Sequence, residues 1–123
     1  MQVKRIYEPP APEDGLRVLV DRLWPRGLSR DAARVDWWHK DIAPSSGLRK
    51  WFGHDPAKWA EFRDRYRAEL KCNPEAVARL AELGQCGPVT LLYAAKDERH
   101  NHALVLKAFL ADRGAHASVS SRK

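Results

Sequence analysis

Residues 88–95 read Pro-Val-Thr-Leu-Leu-Tyr-Ala-Ala, an almost unbroken apolar run behind a Gly-Pro turn. A run this short and this apolar predicts a strand buried on both faces, as in the middle of a parallel sheet. Downstream of it, a polar connector from Lys96 to Asn101 leads into a helix from about His102 to Asp112, buried along Val105, Leu106, Phe109 and Leu110 and closed by Gly114. Upstream, Asn73 and Pro74 give a helix start signal ahead of inward Val77, Leu80 and Ala81, with Gly84 as the stop. Asp55 and Pro56 open another helix, whose Trp59, Phe62, Tyr66 and Leu70 fall on one stripe. Ser46 to Phe52 suits one or two helical turns ended by Gly53.

The first half carries the remaining strands. Leu16 to Leu23 is a largely apolar run between Gly15 and Pro25 and predicts the central strand, and Val3 to Tyr7 predicts a first strand ended by Pro9 and Pro10. Ser29 can cap a short helix through Arg34, and Val35 to Ile42 reads as a third, polar-edged strand. Strands alternating with helices predict a small single-domain α/β sandwich, with a mostly parallel central sheet of about four strands flanked by helices. The domain is expected over residues 1–112, followed by a basic, flexible C-terminal tail over residues 113–123.

The chain has 123 residues, 44% hydrophobic and 31% charged. A domain of this size buries roughly two thirds of its unfolded surface, so it can hold a core without metal or disulfide staples. No stretch approaches the ~20 apolar residues of a bilayer span, and Met1 to Pro10 lacks the apolar segment of a secretory signal. Cys72 and Cys86 show no CxxC spacing and read as free thiols, so the expected location is the cytoplasm. The net charge is +6, but Arg113, Arg122 and Lys123 supply half of the excess. What remains is a mildly basic domain, suited to an anionic ligand and short of the concentrated basic face that predicts duplex binding.

Ligands of open α/β sheets settle at the carboxyl ends of the strands, and two polar segments of this chain fall there. The first, Asp21-Arg-Leu-Trp-Pro-Arg-Gly27, offers Arg22 and Arg26 as planar forks for carboxylate or phosphate, beside Trp24 as a stacking ring. Its structural alternative is an ion pair of Asp21 with Arg22 or Arg26, and Trp24 as core. The second, Lys96-Asp-Glu-Arg-His-Asn-His102, precedes a helix N-terminus that favours anions. Lys96, His100 and His102 would add to that, and either histidine could act as general acid or base; the alternative is a solvated connector with Asp97 or Asn101 as the helix cap.

Other patterns carry little. His100-Asn-His102 is a chance match to the name of a nuclease class, whose residues come from separated positions. No Cys pair or HExxH accompanies the histidines, so no metal is implied, and the absence of a Walker A run or GxGxxG leaves no cofactor implied either. Tyr93 and Lys96 should point to opposite faces of a strand. Of the five tryptophans, Trp59 belongs to the helix stripe, adjacent Trp37 and Trp38 must face opposite sides, and Trp51 precedes a helix start where local packing is its expected role.

The runs Arg17-Val-Leu-Val-Asp-Arg-Leu-Trp-Pro-Arg-Gly27, Lys40-Asp-Ile-Ala-Pro-Ser45, Leu48-Arg-Lys-Trp-Phe-Gly-His-Asp55, Phe62 to Leu70, and Leu91-Leu-Tyr-Ala-Ala-Lys-Asp97 with His100-Asn-His102 resemble the YeaO-like branch of the domain-of-unknown-function 488 family. The resemblance runs from about Val3 to Leu110 and implies a compact α/β fold, with Arg22, Arg26, Lys40, His54, Lys96, His100 and His102 as its marked polar positions. The broader group tends to carry a cysteine on the last strand and a Cys-His-Arg run after it. Here those places hold Tyr93 and Asn101-His-Ala103, which removes the thiol.

Together these readings predict one basic, Trp-edged pocket at the strand ends for a phosphorylated or otherwise anionic small molecule. Arg22, Trp24, Arg26, Lys40, His54 and Lys96 are its expected binding residues, and His102 and His100 its candidate acid or base. The alternatives are a nucleic-acid-binding accessory module using the basic tail and an exposed Trp, or a protein interaction domain without pocket chemistry.

Overall fold

The computed structural model describes the backbone of residues 1–121 and the side chains as far as Arg113. Four strands form one sheet: β1 (Gln2–Arg5), β2 (Leu16–Leu19), β3 (Trp37–Trp38) and β4 (Val89–Tyr93), in the order β1-β4-β2-β3. Every neighbouring pair is parallel. Five helices complete the fold: α1 (Arg30–Ala33), α2 (Ser46–Phe52), α3 (Trp59–Lys71), α4 (Pro74–Cys86) and α5 (His102–Ser121). The expected α/β class with a parallel, four-stranded sheet is what the chain adopts. Among the described residues no helix is long and apolar enough to cross a membrane.

β4 is central because all five of its residues are buried, as a strand with neighbours on both sides and layers on both faces requires. The pleat divides its side chains. Val89, Leu91 and Tyr93 join Val18 and Val20 in the larger core, which also takes in Leu48, Phe52, Phe62, Tyr66, Leu80 and Leu106. Leu92 and Leu19 face the other way, into a smaller cluster with Ile6 and Ala33 against Trp24, Leu28 and Trp38. Gly15 makes the close approach at the head of the sheet: its φ is +63°, and a Cβ there would lie 2.3 Å from the Pro88 carbonyl oxygen. That oxygen accepts the Leu16 amide, which starts the β2–β4 ladder, so only glycine fits both the angle and the space.

Several boundaries differ from expectation, each for a local reason. The third strand shrinks from Val35–Ile42 to Trp37–Trp38. His39 is buried, stacks on Trp37 at 4.0 Å, and reaches the Ala76 carbonyl through Nε2 at 3.1 Å; the chain then tightens into a 3-10 turn over Lys40–Ile42. β2 ends at Leu19 instead of Leu23, because the Ala94 amide that would continue the ladder is taken by the Asp21 carboxylate at 3.2 Å. β1 stops at Arg5 and turns through the Glu8 to Arg5 hydrogen bond. α4 runs through Gly84 to Cys86, and α5 runs through Gly114 to Ser121. A single helical glycine costs about 1 kcal/mol against alanine, which the flanking turns can offset. The expected tail lies outside the described side chains except for Arg113.

A buried ion cluster sits beside β2. Arg17, 4% exposed, meets the Asp14 carboxylate at 2.5 Å and donates to the carbonyls of Ala33 and Arg34 at the end of α1. Lys4 reaches the same carboxylate at 3.2 Å. Burial alone would raise the Asp14 pKa, but the Ala11 amide, Lys4 and Arg17 outweigh it and hold the group below the usual carboxylate value.

Candidate functional site

At the carboxyl ends of β2 and β4 the sheet opens into a cleft of about 530 Å³, walled by α2, α3 and the start of α5. This is where a parallel α/β sheet places its ligands, and the volume lies within the range of small-molecule sites. The floor is apolar. Phe52 and Phe62 stack at 4.2 Å with a 22° interplanar angle, joined by Ala43, Pro44, Ala94 and Ala95, while Leu23, 62% exposed, stands at the mouth.

The loop after β2 supplies Asp21 and Arg22. Arg22 donates from Nε to the Pro44 carbonyl and from Nη2 to the Ala43 carbonyl, each at 3.3 Å. Those bonds fix the guanidinium without neutralising it, and no carboxylate lies within 4 Å among the described residues. The anticipated ion pair of Asp21 with Arg22 or Arg26 therefore does not form. Asp21 turns to His102 instead: His102 Nε2 lies 2.9 Å from Asp21 Oδ1 and 3.1 Å from the Val20 carbonyl oxygen. The ring N–H is aimed at Val20, so buried Oδ1 lies against the imidazole with no hydrogen bond directed at it.

The connector after β4 is organised by Asp97. Its carboxylate accepts the Arg99 and His100 amides and lies 2.8 Å from His100 Nδ1. Those donors, the Arg99 amide foremost and then the His100 ring, hold its pKa below the usual carboxylate value. Asn101 then caps α5, accepting the Leu104 amide through Oδ1 at 3.1 Å. Capping and cleft-lining thus coexist in one segment. Behind His102, the fully buried Tyr66 donates its hydroxyl to the Ile42 carbonyl at 2.6 Å, and burial pushes its phenol well above the ordinary value.

The structure brings Arg22, His54, Lys96, His100 and His102 to the cleft and leaves Trp24, Arg26 and Lys40 out of it. Trp24 donates its indole N–H to the Leu28 carbonyl at 2.7 Å and packs edge-on against Trp38, so the loop folds over the smaller core. None of the tryptophans lines the cleft, and its aromatic surface is Phe52 and Phe62. The Arg26 carbonyl accepts the Tyr7 hydroxyl at 3.0 Å, and Lys40 lies 4.0 Å over the Trp38 ring. His54 is held in the left-handed region at φ 57° just after Gly53 at φ 53°, a conformation that costs a non-glycine residue about 1 kcal/mol or more. Sequence reasoning passed over Arg49, which α2 carries to the cleft from a position with no distinguishing local signal. It also passed over the pairing of Asp21 with His102, which only tertiary structure creates. Among the described residues no group of three His, Cys, Asp or Glu side chains is arranged to hold a metal ion.

Fold and cleft define a small parallel α/β protein with a cleft at its strand ends and a tyrosine, Tyr93, at the end of its central strand. The chain belongs to the DUF488 family: the model described as the inactive DUF488-N3 subclade matches residues 1–122. It is 46% identical over 110 residues to the uncharacterized protein YeaO of Escherichia coli, covering 89% of this chain and 96% of that one. It is also 43% identical over 113 residues to uncharacterized proteins of Mycobacterium bovis and Mycobacterium tuberculosis, covering 92% of this chain and 95% of each. No solved structure matches it.

Proposed function

We propose that the cleft binds a small anionic molecule carrying a phosphate or carboxylate group. One observation carries this reading: the cleft's charges are unequally satisfied. Its three cations, Arg22, Arg49 and Lys96, outnumber its two carboxylates and have no acidic partner within 4 Å among the described residues, while Asp21 and Asp97 are turned to histidine rings. Three unneutralised cations around an apolar floor favour an anion, and the low dielectric of the floor strengthens the attraction. The start of α5, where Asn101 and His102 line the same wall, adds the partial positive charge of a helix N-terminus.

Binding without turnover is the form we favour. The description of the family as inactive supports it, as does the tyrosine at position 93 where the broader group tends to carry a cysteine. His102 and His100 remain the residues through which any proton transfer would run.

A thermal-shift titration with inorganic phosphate tests the reading, because a ligand of the native state raises the melting temperature by linkage. Matched ionic strength in sodium chloride is the control. The expected result is a saturable rise in the intact protein that disappears in Arg22→Ala. A rise of the same size in Arg22→Ala, or none in either protein, would overturn the assignment.

A further inference from the structure

We infer that the cleft selects anions that also carry a hydroxyl group, because it holds two imidazoles locked in opposite tautomers with their unprotonated nitrogens left for the ligand. The inference rests on the reading of the cleft as an anion site and names the class of anion it takes.

The argument is one of donors and acceptors. A backbone carbonyl can only accept, so His102 Nε2, aimed at the Val20 oxygen and flanked by the Asp21 carboxylate, carries the proton. In the neutral ring Nδ1 is then an acceptor, and it has no hydrogen-bond partner among the described residues. His100 is the mirror case. Its Nδ1 faces the Asp97 carboxylate, so Nδ1 carries the proton and Nε2 is left as the acceptor. Both rings line the cleft and both are part-exposed, with side chains 15% and 32% accessible. In each, the free nitrogen points away from the carboxylate that holds the ring.

A carboxylate or a fully ionised phosphomonoester offers such nitrogens nothing, since its oxygens are acceptors too. A hydroxyl beside the anionic group supplies the missing donor, while Arg22, Arg49 and Lys96 hold the charge. An unhydroxylated analogue leaves the two acceptors facing an alkyl chain, and an unmatched polar group in a binding site is where discrimination is large. The shared chemistry is a hydroxylated anion, and its two sources are polyol phosphates and hydroxycarboxylates.

Two matched pairs of probes separate these sources: glycerol 3-phosphate against propyl phosphate, and glycolate against acetate. Calorimetric titration of the full chain at pH 8 is expected to give the hydroxylated member of at least one pair about tenfold tighter binding. In His100→Phe, a part-exposed position that tolerates a ring, that ratio should fall below about threefold. Equal affinities within both pairs, or a ratio undiminished in His100→Phe, would overturn the hydroxyl selectivity while leaving the anion site standing. Absence of binding by all four probes would overturn both. Independently, long-range proton–nitrogen correlation spectra of the ligand-free protein should place the proton on Nε2 of His102 and on Nδ1 of His100; the reverse pattern at His102 would overturn the inference without touching the anion reading.

Discussion

Arg17 and Arg22 leave the same short stretch of chain and meet opposite ends. Arg17, in β2, is sealed beneath the smaller core with its guanidinium on the Asp14 carboxylate and on the carbonyls that end α1. Arg22, just past the strand, is held only by the Ala43 and Pro44 carbonyls and faces the cleft. A carbonyl orients a guanidinium but leaves its charge in place, whereas a carboxylate cancels it. The count of arginines near a strand end therefore says little about binding; the position of the nearest acid decides which arginine is structural and which is available.

That contrast can be broken at either end. Asp14→Ala strands Arg17 and Lys4 without their counter-charge, and breaking a buried pair from one side costs about 3–5 kcal/mol. Urea denaturation should read that loss, and a loss below about 1 kcal/mol would mean that Arg17 is not held as described. Arg22→Ala should do the reverse, weakening phosphate binding about tenfold, or ~1.4 kcal/mol, while shifting the urea midpoint little. Comparable loss of both properties would return Arg22 to the structural class. Smaller again is Trp24→Phe, which removes the indole bond to the Leu28 carbonyl. A net hydrogen bond is worth about 1 kcal/mol, and phosphate affinity should not change if Trp24 lies outside the cleft.

The smallest effect is a pH slope. Burial lowers the pKa of His39 in the folded protein, so the unfolded chain binds the proton more readily. The stabilisation this gives is complete above the unfolded value of about 6.5 and is lost as the pH falls below it toward the depressed folded value. Melting temperature should decline gently between pH 7 and pH 6, and His39→Gln should flatten that decline; an unchanged slope would place its origin elsewhere. Asp14, also depressed, adds its own loss only at more acid pH, as the carboxylate protonates.

Sequence carried the scaffold because burial periodicity is written locally. Val89 to Tyr93 is apolar at every position but Thr90, and the Thr90 hydroxyl is satisfied by the Asp14 carbonyl at 2.7 Å. The helix stripe of Phe62, Tyr66 and Leu70 is equally plain, and all three are buried. Where the reading overran, a side chain had replaced the backbone as hydrogen-bond partner: Asp21 ends β2 by capturing the Ala94 amide, and His39 ends β3 by reaching across to Ala76. The cleft was half legible. The strand-end rule selects Arg22, Lys96, His100 and His102, but it cannot tell that residues 24–28 fold back on themselves and carry Trp24 and Arg26 away. Nor does any pattern in residues 46–52 mark Arg49, whose place depends on how α2 docks.

The strand order also dictates when the molecule can take shape. β1 pairs only with β4, Gln2 opposite Thr90 and Arg5 opposite Tyr93, and β2 takes its inner partner from the same late segment. Neither early strand has a complete sheet to join until the residues around position 93 have been made. At a synthesis rate of roughly 5–20 residues per second, that is a wait of about 5 to 20 seconds. Through that interval β1 has no strand to pair with and β2 has only the two residues of β3, which makes the last strand the trigger for completing the sheet.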